Sequence, residues 1–110
     1  MNFGDAMNAE DYPVEHFRQM LALSEDLRAR SIQILSHEYH YDTFGSWWTT
    51  LRHRGATLRI LFDGKEGNLI LQRAGEHKPH HRPSQWEDVS CWPVPDRNPE
   101  RAIREVIEGL

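Results

Sequence analysis

Between Trp47 and Arg73 the chain alternates apolar and polar residues in three short runs, separated by Arg54-Gly55 and by Asp63-Gly64 with Gly67. Side chains along a strand point to opposite faces in turn, and glycine tolerates the positive φ that tight hairpin turns require. The pattern predicts a three-stranded antiparallel meander, so the remaining segments must extend that sheet or cover one of its faces. Trp47 and Leu51 share one side of the first run, with Trp48, Thr50 and Arg52 on the other. In the second run Leu58, Ile60 and Phe62 oppose Thr57, Arg59 and Leu61. The economical assignment buries Trp47, Leu51, Leu58, Ile60 and Phe62. It leaves Trp48, Thr50, Arg52, Arg59 and Leu61 on an open face.

The flanking segments supply the cover. From Val14 onward Phe17, Met20, Leu21, Leu23 and Leu27 fall at three- and four-residue spacing, which predicts a helix over about 13–30 that lays this stripe on the sheet. Pro13 suits its first turn, where a backbone N–H would be unpaired anyway. Residues 1–12 carry no periodicity and read as a loose leader to a single domain over 13–110. The period changes at Ser31: Ile32 and Ile34, then His37, Tyr39 and Tyr41, alternate with polar residues, and Leu35 breaks the count by one. A first strand with a bulge near Leu35–Ser36 follows. Residues 86–92 support a short fifth strand, closed by Pro93 and Pro95. Asn98-Pro99 opens a terminal helix carrying Ile103, Val106, Ile107 and Leu110. The expected fold is α+β, an antiparallel four- to five-stranded meander sheet with an N-terminal and a C-terminal helix on one face (α-β-β-β-β-(β)-α).

Composition narrows the function classes. Length suits one domain, at 110 residues. A single cysteine, Cys91, excludes an internal disulfide framework, reads as a small buried hydrophobe, and suits a reducing, cytoplasmic setting. No apolar run approaches the roughly 18 residues of a membrane span. Thirteen Lys and Arg against seventeen Asp and Glu leave a net charge of −4, which disfavours nonspecific attraction to nucleic acid. Trp48, Arg52 and Arg59 have the composition of a single-strand stacking surface, yet the arginines are interleaved with Asp63, Glu66 and Glu76 and form no basic stripe.

Catalytic constellations are missing. His77, His80 and His81 in the loop 75–84 are the only candidates for a metal, but adjacent histidines diverge and only one cysteine is present to complete a set. A solvated loop is the reading, and neither metal nor cofactor is expected. His37-Glu38-x-His40 is not a zincin motif, which needs histidines four apart on a helix. His40 and Asp42 share a strand face and are placed to pair. Neither Cys91 nor Ser46 sits on a nucleophile elbow, and Gly64 to Gly67 form a hairpin turn rather than a phosphate loop. Glu87 and Asp88, as strand neighbours, point to opposite faces. The chain is not expected to be an enzyme.

An open face holding an indole, two guanidiniums and a leucine suits contact with a protein, because Trp and Arg dominate binding hot spots. Trp48, Arg52 and Arg59 are its candidate contact residues. The competing reading is that the segment 75–92 folds back over Trp48 with an arginine stacked on the indole. The runs Phe44-Gly45-Ser46-Trp47-Trp48, Arg59-Ile60-Leu61-Phe62-Asp63-Gly64-Lys65 and Leu69-Ile70-Leu71-Gln72, set between an N-terminal and a short C-terminal helix, resemble small bacterial immunity proteins of polymorphic toxin systems, those called TriTu. A bacterial family of the same layout with no assigned role shares the pattern. The matching residues are turn glycines and core aromatics, so no functional residue carries across. The resemblance implies a non-enzymatic cytosolic protein that neutralises a cognate toxin by steric occlusion. A homodimer would use the same open face or a sheet edge.

Overall fold

The computed structural model describes residues 12–75 and 86–110. Helix α1 spans Tyr12–Ala29. Five strands follow: β1 Gln33–His40, β2 Ser46–His53, β3 Ala56–Asp63, β4 Asn68–Ala74 and β5 Trp86–Pro93. A 3-10 turn, Pro95–Arg97, leads into helix α2, Glu100–Glu108. The strands form one sheet in the order β1-β2-β3-β4-β5, each antiparallel to its neighbours. The α+β layout is therefore as the sequence predicts, with the fifth strand fully formed.

Turn chemistry sets the register. His53 pairs with Ala56, so Arg54 and Gly55 make a two-residue loop, and both have positive φ (51° and 79°) as a type I′ turn requires. Between β3 and β4 the Asp63 carboxylate accepts hydrogen bonds from the backbone N–H groups of Lys65 and Glu66, both at 3.0 Å. Gly64 is obligatory for another reason: a Cβ there would meet the Phe44 carbonyl oxygen at 2.0 Å. The bulge foreseen in β1 is present, with the pairing slipping between Ile34 and Ser36. A second slip between Leu71 and Gln72 leaves Val89 of β5 unpaired.

One face of the sheet is the core. Trp47, Leu51, Leu58, Ile60 and Phe62, the five residues assigned inward, are all buried, together with Leu69 and Leu71 of β4. Leu23 and Leu27 of α1 and Ile103, Val106 and Ile107 of α2 close over them. Asn98 helps to start α2, its side-chain oxygen accepting from the Glu100 N–H at 3.2 Å.

Helix α1 corrects the expected stripe. Phe17 and Leu21 are 64% and 49% exposed, and Gln19 is buried in their place. The cause is Trp47, whose buried indole N–H needs an acceptor and donates to Gln19 Oε1 at 2.7 Å. Gln19 Nε2 in turn donates to the Arg97 carbonyl at 3.3 Å. With Gln19, Leu23 and Leu27 four residues apart forming the inward line, residues two positions from Gln19 turn outward.

Arg97 ties the end of the molecule together. Its Nε and Nη2 donate to the Glu15 carboxylate, the shortest contact being 2.8 Å. Nη1 donates to the Gly64 carbonyl at 2.7 Å and Nη2 to the Phe44 carbonyl at 2.8 Å. The guanidinium also lies 4.7 Å from the Tyr12 ring centroid and 5.4 Å from that of Phe62. One side chain therefore joins α1, the β1–β2 turn and the β3–β4 turn. Both Asp96 and Arg97 adopt φ of 55° to present it. Removing it strands a largely buried carboxylate and two carbonyls, so Arg97→Ala is expected to lower stability by about 3 kcal/mol in urea unfolding. Arg97→Lys recovers less than half of that, because an ammonium cannot reproduce the fork. A loss below about 1 kcal/mol in Arg97→Ala would remove this residue from its role.

Candidate partner-binding face

On the other face the registers align a row of polar and aromatic side chains. Glu38 pairs with Trp48, Trp48 with Leu61, Thr50 with Arg59, and Arg59 with Gln72. In β4 and β5, Ile70 pairs with Cys91, Gln72 with Asp88 and Ala74 with Trp86. Alternation puts all of these on the side away from the helices.

The row is bonded across the sheet. The His40 ring stacks on Trp48 with centroids 4.3 Å apart, and the Trp48 indole N–H donates to Glu38 Oε2 at 2.8 Å. The Arg59 guanidinium lies 5.4 Å from the Trp48 ring centroid and 4.5 Å from that of Trp86, a bridge between two indoles. Arg59 Nε donates to Gln72 Oε1 at 2.7 Å, and Gln72 Nε2 donates to Asp88 Oδ1 at 2.7 Å. Burial pulls the Arg59 pKa down, opposed by the nearby carboxylates of Glu38 and Asp88. The guanidinium stays charged but is partly removed from water. Its Nη nitrogens make no hydrogen bond among the described residues, which leaves the donors that suit a carboxylate.

Trp48, Arg52 and Arg59 thus share one face, as the alternation predicts. Trp48 and Arg59 belong to the row, whereas Arg52 is exposed at its margin, between Gln33 and Thr57. The sequence reading did not bring in His40, Gln72 or Trp86, whose contacts cross strands and depend on register alone. Trp48 is half-buried, covered by His40 and Arg59. The described part of the segment 75–92 reaches Arg59 through Trp86. His40 does not share a strand face with Asp42: β1 ends at His40, Asp42 falls in the following turn, and the imidazole sits on Trp48 instead. Cys91 is exposed rather than buried, since its register opposite Ile70 places it on the open face of an edge strand. His77, His80 and His81 lie outside the described residues. Among the described residues, no group of three or more His, Cys, Asp or Glu side chains is placed to hold a metal ion. No described helix is long and apolar enough to cross a membrane.

The adjacent tryptophans separate core from surface in one experiment. Trp47→Ala is expected to cost about 3–5 kcal/mol, because it empties a fully buried site. Trp48→Ala should cost only about 1 kcal/mol, the value of one stacked, half-exposed ring. Denaturation midpoints of the two variants compare them directly, and equal losses would place Trp48 in the core. Comparison with protein-family models, with curated proteins and with solved structures finds no match for the chain.

Proposed function

We propose that this chain is a non-enzymatic protein-binding domain whose open sheet face, centred on Trp48 and Arg59 with Arg52 at its margin, seats a protein partner. The observation that carries the reading is the bonded row from His40 to Asp88. Its rings and guanidinium are held in place before any partner arrives, which reduces the ordering cost of binding. Trp48 supplies apolar area, and the Arg59 Nη groups and Arg52 face carboxylates on the partner. Leu61, Ile70 and Cys91 extend the patch along the sheet. Glu38 and Asp88 flank the guanidinium and weigh against a phosphate backbone as occupant. An immunity-type role, in which a bacterial cytoplasmic protein occludes a cognate toxin, is what the resemblance of residues 44–72 adds. A second copy of the chain is the alternative occupant.

The test is affinity capture from lysate of the native host, followed by titration of the purified partner. Trp48→Ala and Arg59→Ala are each expected to weaken binding by about 2 kcal/mol, near 30-fold. Phe17→Ser, on the opposite side of the molecule, should leave affinity unchanged. Binding lost in Phe17→Ser but retained in Trp48→Ala would overturn the assignment to this face.

A further inference from the structure

We infer that His16 of α1 and His37 of β1 form a proton-operated latch, closed while the pair carries at most one proton and opened when both rings are charged. Their Nε2 atoms are 2.8 Å apart, with ring centroids at 5.0 Å and planes within 18° of parallel. The rings therefore meet nitrogen to nitrogen. A bond of this kind needs a proton on one nitrogen and a lone pair on the other. Two imidazolium rings would instead oppose N–H to N–H at that distance, and the contact cannot survive.

The surroundings hold both rings in place, with His16 half-buried and His37 more open to solvent. His37 Nδ1 is 2.7 Å from Thr49 Oγ1 of β2, which fixes its ring. His16 lies flat on the Tyr39 ring, with centroids 3.9 Å apart and planes at 6°. Burial pulls the His37 pKa down, opposed by the charge of Glu38 of β1. Glu15 and Tyr12 of α1, Tyr41 beyond β1, and Arg97 act on the Tyr39 hydroxyl. From β2 the neighbours are Thr49 and Trp47, neither of them charged. Burial, with the neighbouring His37 adding to it, pushes His16 down to about 4.

The latch sits on the flank of α1 that meets β1, one residue after Glu15 and three before Gln19. Elsewhere the helix is fixed by Leu23 and Leu27 in the core, by Gln19 on Trp47 and by Glu15 on Arg97. Beside it runs an apolar groove of about 180 Å³ lined by Phe17, Met20, Leu21, Ile34, His37 and Thr49. Opening frees the Tyr39 ring face and widens that groove without dismantling the core. The sign follows from proton counting. A histidine whose packed pKa lies below its free value binds more protons when unpacked, so the open form gains as pH falls from about 6.5 toward 4. With His16 at about 4, the share of the rise in the ratio of open to closed that its own proton contributes is about 20-fold between pH 7 and pH 5.

The experiment is an NMR titration of the intact chain from pH 8 to pH 4, following the histidine ring signals and the cross-peak between the His16 and Tyr39 rings. The expected result is a reversible loss of that cross-peak in step with His16 protonation, below pH 5, while the Trp47–Phe62 cross-peak persists. His16→Phe keeps a ring on Tyr39 and removes the proton, so its ring cross-peak should persist over the whole range. Should His16→Phe fail to fold, His37→Gln removes the second charge while His16 still titrates, so the cross-peak should be lost only at lower pH than in the parent chain. The latch is overturned if His16 titrates near 6.5 with the cross-peak intact, or if the cross-peak disappears over the same pH range in the variants.

Discussion

The ion pair between Arg97 and Glu15 is the constraint on which the rest of the architecture hangs. The meander pairs each strand with the next, but nothing in strand pairing says how a helix at one end of the chain and a turn near the other should sit on it. Arg97 supplies that information, with a carboxylate from α1, a carbonyl from each of two sheet turns, and an aromatic ring on either side. The left-handed backbone at Asp96 and Arg97 is strain that these contacts offset. Its own carbonyl then accepts from Gln19, which accepts from Trp47, so the polar network runs from the surface to the largest buried ring. Half-satisfied, such a network would cost more than an apolar core. Complete, it selects one orientation of α1.

The same chemistry divides two neighbouring tryptophans. Trp47 and Trp48 differ by one strand position, and alternation sends one under the helices and the other outward. Each indole N–H finds an acceptor, Gln19 within the core and Glu38 on the open side. Arg59 makes the outer ring part of a line that crosses the sheet through Gln72 to Asp88. A surface organised in this way holds a preset shape, whereas isolated long side chains would sample several rotamers.

Much of this was legible in the residues. Period-two alternation identified both faces of β2 and β3, and Leu35 betrayed its bulge by breaking the count. Glycine punctuation placed both hairpins. The roll of α1 was not legible, because hydrophobic spacing favours Phe17 and Leu21, and the hydrogen bond that draws Gln19 inward depends on where Trp47 lies in three dimensions. Arg97 gave no signal for a similar reason: its partners are 82, 53 and 33 residues away and two of them are backbone carbonyls. On the candidate face, Trp48, Arg52 and Arg59 could be read from one hairpin. His40 and Trp86 could not, since they join only through the registers of two further strands. Cys91 was misjudged because small size suggests burial, while position on an edge strand decides exposure.

The bulges at Leu35 and Val89 fall on β1 and β5, the two outer strands of the sheet among the described residues. An incoming strand laid along either edge finds its N–H and C=O groups out of step after a few residues. Both bulge residues are exposed and apolar, at 42% and 50%, so each edge joins a hydrophobic invitation to a mismatched ladder. A chain with this much sheet would otherwise risk stacking edge to edge into fibrils. Here growth is interrupted at both ends, so the mismatched ladders guard against self-templating.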